Sequence, residues 1–157
     1  LFGADQLPDL DAVQAAAAFA LENESWAPLF AGTGGYREID TDLILRGADP
    51  ARYNFSQWAP FCTGIVAVTP RVWNDIGGMD ERFYGWGAED SALRLVLGNL
   101  HPSDYEPTDT LRCLWHPSAS RDRFDANSAL MGEYVGAADA GQLREYVDNL
   151  KAGAHRA

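Results

Sequence analysis

The stretch Gly64-Ile65-Val66-Ala67-Val68 narrows most sharply what this chain can fold into. It is apolar throughout, with no alternation, and Pro70 closes it just after Thr69. A strand that is hydrophobic on both faces must be covered on both, as in the centre of an α/β sheet. The expected strand spans 61–69, and the rest of the chain has to supply the layers that cover it.

Helical spacing supplies several of them. Pro8 and Asp9 suit a first helical turn, and Val13, Ala16, Ala17, Ala20 and Leu21 recur at helical intervals through about Asn23. A short helical turn is expected over 71–76, an apolar helix from about Ser91 to Leu97, and an amphipathic helix from about Gln142 to Lys151. In that last helix Leu143, Tyr146, Val147 and Leu150 share one face. Leu111 to Trp115 reads as a short strand, and Leu1 to Ala4 as the end of a buried one. The expectation for that abrupt start is a truncated or processed chain, the preceding strands lying in an amino-terminal half or a partner chain. Ala31-Gly32-Thr33-Gly34-Gly35 reads as a loop: its glycines suit a phosphate cradle, but no lysine follows at the required spacing, so a permissive turn accounts for it better. The region 36–58 is mixed and polar, with a turn at Asp49-Pro50.

Composition excludes several classes of function. A chain of 157 residues suits one domain, able to bury roughly 70% of its unfolded surface. Two cysteines allow at most one bridge, which rules out a disulfide scaffold. A net charge of −11 with no basic run argues against a nucleic-acid surface. The longest apolar region, Ala15 to Leu21, falls far short of the ~18–20 residues that span a membrane. No charged n-region precedes Leu1 to Ala4, so no signal peptide is expected there, and a cytoplasmic location is the default expectation.

The chemistry concentrates in 77–90. Within those 14 residues stand three aromatics, four glycines and four carboxylates. Glycines let backbone approach a ligand closely, and an indole such as Trp86 suits the apolar face of a sugar ring or a base. Glu89 and Asp90 lie just before the apolar helix, whose positive amino end favours ionised carboxylates. An ionised carboxylate is what a general base needs, although the same dipole lowers its basicity. The alternative is a solvated turn with two helix-capping acids and a core tryptophan.

The full string Gly77-Gly78-Met79-Asp80-Glu81-Arg82-Phe83-Tyr84-Gly85-Trp86-Gly87-Ala88-Glu89-Asp90 resembles the carboxy-terminal catalytic motif of GT-A fold glycosyltransferases. Nearest in pattern are the beta-galactosyltransferases, the chondroitin-polymerase type and the polypeptide N-acetylgalactosaminyltransferases. The resemblance covers most of 1 to about 125, with 31–58 unmatched in detail. It implies an α/β fold, a GT-A-like mixed sheet flanked by helices, in a single domain over 1–157 that lacks the first nucleotide-binding strands.

The resemblance also implies roles for individual residues. Asp90 would be the catalytic base; Trp86, Gly87 and Glu89 would meet the acceptor and the transferred sugar. In such enzymes an Asp-x-Asp motif at a strand end binds a divalent metal that holds the donor's diphosphate. Asp5 matches the second aspartate, whereas Gly3 stands where the first would be, a departure that puts its contacts in doubt. A histidine at the end of a late strand completes the metal site, which makes His116 the second ligand, with Arg121 and Arg123 as diphosphate contacts. Carboxylate and imidazole together suit Mn²⁺ better than Mg²⁺, though Mg²⁺ remains open. Cys113 and His116 could instead join Cys62 and His101 around zinc, but that spacing is incomplete. A buried structural histidine beside Trp115 is a further alternative. The implied reaction moves a sugar from a UDP-sugar to a hydroxyl of a glycan, protein or small molecule, and the Glu-Asp ending resembles the inverting members. The competing reading is a non-catalytic carbohydrate- or nucleotide-binding module.

Overall fold

The computed structural model describes residues 6–60, 65–117 and 120–154. Asp9 caps the first helix as expected: its carboxylate accepts from the N–H groups of Asp11 (2.9 Å) and Ala12 (3.2 Å), and helix α1 runs Leu10–Glu22 to a cap at Asn23. The stripe it buries is Ala12, Ala16 and Ala20, while Leu21 points to solvent. Methyl-sized side chains at i, i+4 and i+8 let α1 lie close on the strands beneath.

Those strands are β2 (Trp26–Pro28) and β5 (Val66–Val68), paired antiparallel as a two-stranded ribbon. This corrects the central-strand expectation for 61–69. β5 is covered on both faces, yet it belongs to no large sheet, and 61–64 lie outside the described residues. Ile65 and Ala67 face a core of Ala12, Ala16, Leu29, Phe30 and Leu111. Val66 and Val68 face a second core built from Val72, Val96, Leu97, Tyr134 and Val147. The apolar run records burial between two cores, which a continuous hydrophobic pattern cannot distinguish from burial within a sheet.

The main sheet has the order β1-β6-β3-β4, with β1 at Gln6–Leu7, β3 at Gly32–Gly35, β4 at Gln57–Pro60 and β6 at Thr110–Cys113. β6 runs antiparallel to β1 and parallel to β3, and β3 runs antiparallel to β4. The segment expected as a glycine loop is therefore an inner strand. Its glycines reflect crowding: a Cβ on Gly32 would come within 2.8 Å of the Ala59 carbonyl oxygen, and one on Gly34 within 2.5 Å of the Phe55 ring. The phosphate-cradle alternative falls with the loop.

Helices flank this sheet, as the resemblance implies. Two were not expected. Helix α2 (Glu38–Leu45) occupies the polar stretch, where Thr41 Oγ1 accepts from the Trp115 N–H at 2.7 Å and so ties the helix to the end of β6. Asp49 caps a single 3-10 turn at Pro50–Arg52. Helix α3 (Pro70–Ile76) follows β5, and α4 (Glu89–Leu100) starts two residues earlier than Ser91, which places Glu89 and Asp90 inside its first turn. Helix α5 (Phe124–Asp139), the second unexpected one, and α6 (Leu143–Ala154) complete the second core, with Leu143 and Val147 of α6 buried as its periodicity predicts. Asp75 of α3 ties these helices together. It bonds His101 Nε2 at 2.7 Å and Arg144 Nη2 at 2.8 Å, while its backbone carbonyl accepts from Lys151 Nζ at 2.8 Å. No helix among the described residues is long and apolar enough to cross a membrane.

Candidate functional site

The loop from Gly77 to Ala88 joins α3 to α4, and it is fixed at both ends. At its start Asp80 folds back on itself, accepting from the Arg82 backbone N–H (3.0 Å) and from the Arg82 guanidinium (2.7 Å). Tyr134 of α5 donates its hydroxyl to the same carboxylate at 2.9 Å, and Arg82 reaches on to the Tyr146 hydroxyl at 2.8 Å. Burial raises the Asp80 carboxyl, but the Arg82 and Tyr134 hydrogen bonds outweigh it and hold the group below its ordinary range. Burial first, and the neighbouring Asp80 second, push the Tyr134 hydroxyl upward.

The second half carries Trp86, Gly87, Glu89 and Asp90. Gly85 (φ 76°) and Gly87 (φ 114°) adopt the left-handed conformation that glycine tolerates best, and Ala88 enters it as well at φ 72°. This double reversal turns the Gly87 N–H onto Glu89 Oε2 at 2.9 Å. Glu89 thus serves as a side-chain cap for the loop in front of its own helix. On the other flank, Asn127 of α5 donates to the carbonyls of Tyr84 (3.2 Å) and Trp86 (3.3 Å). The sequence reading missed Asn127. The available signal was a polar residue at i, i+3, i+7 with Leu130 and Tyr134, on the buried stripe of α5.

Asp90 sits half-buried in the first turn of α4. Its carboxyl is raised, by burial foremost and by the adjacent Glu89 charge second. Burial and the neighbouring charge therefore work against the favourable helix amino end at this position, and the group stands above its ordinary range. Trp86 is 43% exposed, and its indole is not bare. Phe124 stacks on it with centroids 5.8 Å apart and planes 23° from parallel, while the Arg121 guanidinium lies over the ring at 4.8 Å. Arg123 lies over Tyr84 at 5.8 Å. The structure therefore brings Trp86, Gly87, Glu89, Asp90, Arg121 and Arg123 to one loop and the helix ends that frame it.

The expected metal ligands are placed less completely. His116 is exposed just beyond β6, with Nδ1 2.9 Å from the Pro117 carbonyl, which rules out the buried structural histidine. Asp5, like Gly3, lies outside the described residues. Among the described residues no group of three or more His, Cys, Asp or Glu could hold a metal ion. Of the residues of the zinc alternative, His101 is paired with Asp75, and Cys62 lies outside the described residues. A cavity of about 640 Å³ opens on the far flank of the loop, between 76–83, Glu89, Leu93, Tyr134 and α6. Of the expected site residues it touches Glu89 alone.

Residues 44–106 match the model of a protein family described as the N-terminal domain of galactosyltransferase. The matched stretch runs from the end of α2 past α4 and contains the whole of 77–90. The match supports a glycosyltransferase family for this chain. No curated protein matches the chain, and no solved structure does.

Proposed function

We propose that the chain is a metal-dependent, inverting glycosyltransferase that moves a sugar from a UDP-sugar to an acceptor hydroxyl, with Asp90 as the general base. The observation that carries this reading is the raised, half-buried Asp90 carboxylate in the first turn of α4, next to a loop that presents Trp86. A base of raised basicity takes a hydroxyl proton more readily than an ordinary surface aspartate does. In a single displacement the acceptor oxygen bonds to the anomeric carbon as its proton passes to Asp90. The bond from that carbon to the diphosphate oxygen breaks on the opposite face, and UDP leaves with the electron pair. Trp86 offers an indole face to the sugar once Arg121 moves aside, and Arg121 and Arg123 supply positive charge for the diphosphate.

The donor set for Mn²⁺ is the Asp5 carboxylate with the His116 imidazole, an oxygen and nitrogen pair that suits that ion. Two observations favour the pairing. His116 is solvent-accessible at the end of β6, and Gln6, next to Asp5 in sequence, pairs with Cys113, three residues ahead of His116. Bound there, the ion would supply charge against the departing diphosphate.

Two measurements test the proposal. UDP titrated into the protein should bind with Mn²⁺ and not with EDTA. Asp90→Asn should keep that binding and lose turnover across a panel of UDP-galactose, UDP-glucose and their N-acetyl forms. Binding without turnover in the unmodified protein would favour the non-catalytic module instead, and unchanged turnover in Asp90→Asn would sink the base assignment.

A further inference from the structure

Asn127 is 3% exposed, one of few polar side chains buried among the described residues, yet what it holds is a surface loop. Tyr84 is 73% exposed and Trp86 43%, and the amide of Asn127 reaches the backbone carbonyls of both. Both partners are carbonyl oxygens, so the orientation of the amide is forced, and each of its two N–H groups has an acceptor. An uncharged side chain of this length with two donors on one atom is what the position requires. Aspartate would set oxygen against oxygen, and serine brings one donor. Gly85 and Gly87 each follow one of the held carbonyls, and a loop hinged on two glycines has little conformational preference of its own. One turn earlier on α5, Phe124 stacks against the indole, so a single helical turn fixes both backbone and ring.

We infer that Asn127 is a positioning residue for sugar transfer: it sets the place of Trp86, and through Gly87 and Glu89 the start of α4 where Asp90 stands. This rests on the glycosyltransferase reading and deepens it by giving α5 a part in the reaction. In that reading Trp86 meets both the transferred sugar and the acceptor, so loss of Asn127 should impair transfer and spare the hold on UDP, which lacks the transferred sugar.

The experiment has two arms. In the first, the protein is labelled with 5-fluorotryptophan and the Trp86 resonance is identified by its loss in Trp86→Phe. Asn127→Ala should shift and broaden that resonance and leave the other four tryptophan signals in place, with Asn127→Ser intermediate. In the second, Asn127→Ala should lower kcat/KM for transfer at least tenfold while the affinity for UDP with Mn²⁺ stays within twofold, again with Asn127→Ser between. An unmoved Trp86 resonance overturns the inference, as does an equal loss in transfer and in UDP affinity or a simultaneous shift of all five resonances. Should Asn127→Ala fail to fold, Asn127→Ser carries both arms. An unmodified protein that transfers no sugar refutes the enzymatic reading by itself, and the fluorine spectra still decide whether Asn127 holds Trp86.

Discussion

Gly32→Ala and Gly35→Ala, three residues apart in β3, should move stability in opposite directions. At Gly32 the new methyl would stand 2.8 Å from the Ala59 carbonyl oxygen and 3.1 Å from the Trp58 ring. An ordinary contact begins near 3.4 Å, so β3 and β4 would have to part by about 0.6 Å across a hydrogen-bonded register. The Trp58 ring can swing aside but the Ala59 carbonyl is backbone and cannot, and overpacking of this kind costs about 1–3 kcal/mol. At Gly35 the nearest atom is the Gln57 Cβ at 3.8 Å, and the backbone is one any residue adopts. There the methyl mainly restricts the unfolded chain, which stabilises by about 0.4–1 kcal/mol. Urea unfolding followed by tryptophan fluorescence should show midpoints on either side of the parent with a common slope. Equal midpoints for the two variants would refute the placement of β3 against β4, and with it the claim that these glycines serve packing rather than a phosphate.

Four further outcomes are expected. Leu97 is fully buried, so Leu97→Ala should lose about 2–5 kcal/mol in the same unfolding assay. Ala88→Gly relieves a left-handed alanine at the start of α4 and should raise stability by up to about 1 kcal/mol, the relief exceeding glycine's entropy; a loss would contradict that conformation. Because the folded state raises the Asp90 carboxyl, stability from this group is fullest below the unfolded value of 3.8 and falls as pH climbs through the folded one. Asp90→Asn should accordingly melt higher than the parent at pH 7 and match it near pH 3, in thermal scans. Asp75 has the opposite sign: its bonds to Arg144 and His101 lower its carboxyl, so its contribution exists above 3.8 and disappears as pH falls through the folded value. Asp75→Asn should thus destabilise at pH 7 more than at pH 3, by no more than ~1 kcal/mol, since solvent screens this partly exposed group.

Elements with a clear starting residue or a clear period were legible in the sequence: α1 behind Asp9, α3 behind Pro70, α4 and α6 by their apolar faces. Helix α5 was not, because its stripe includes Asn127 and its surface mixes alanine with Gly132 and Gly136, which leaves little contrast between faces. β3 was hidden for a related reason. Four residues with three glycines carry no hydrophobic signal, and the demand that keeps them small comes from Phe55, Trp58 and Ala59, about 20–30 positions away. Of the site, 77–90 announced itself by composition, and Arg121 and Arg123 do stand beside its aromatics. The elevation of Asp90 was not readable, since the dipole of a helix start can be seen in sequence whereas the depth of burial cannot.

The hold of Asn127 on Tyr84 and Trp86 bears on protein engineering. Residues 77–90 look like a portable cassette, a contiguous string that could be cut out and set between two helices of another scaffold. Its shape, however, is written partly in a helix that begins some forty positions later. A transplant would carry the glycines and leave behind the amide that binds their neighbours and the phenyl ring that backs the indole. Moving the activity would mean moving Phe124 and Asn127 as well, at their spacing and at their angle to α4.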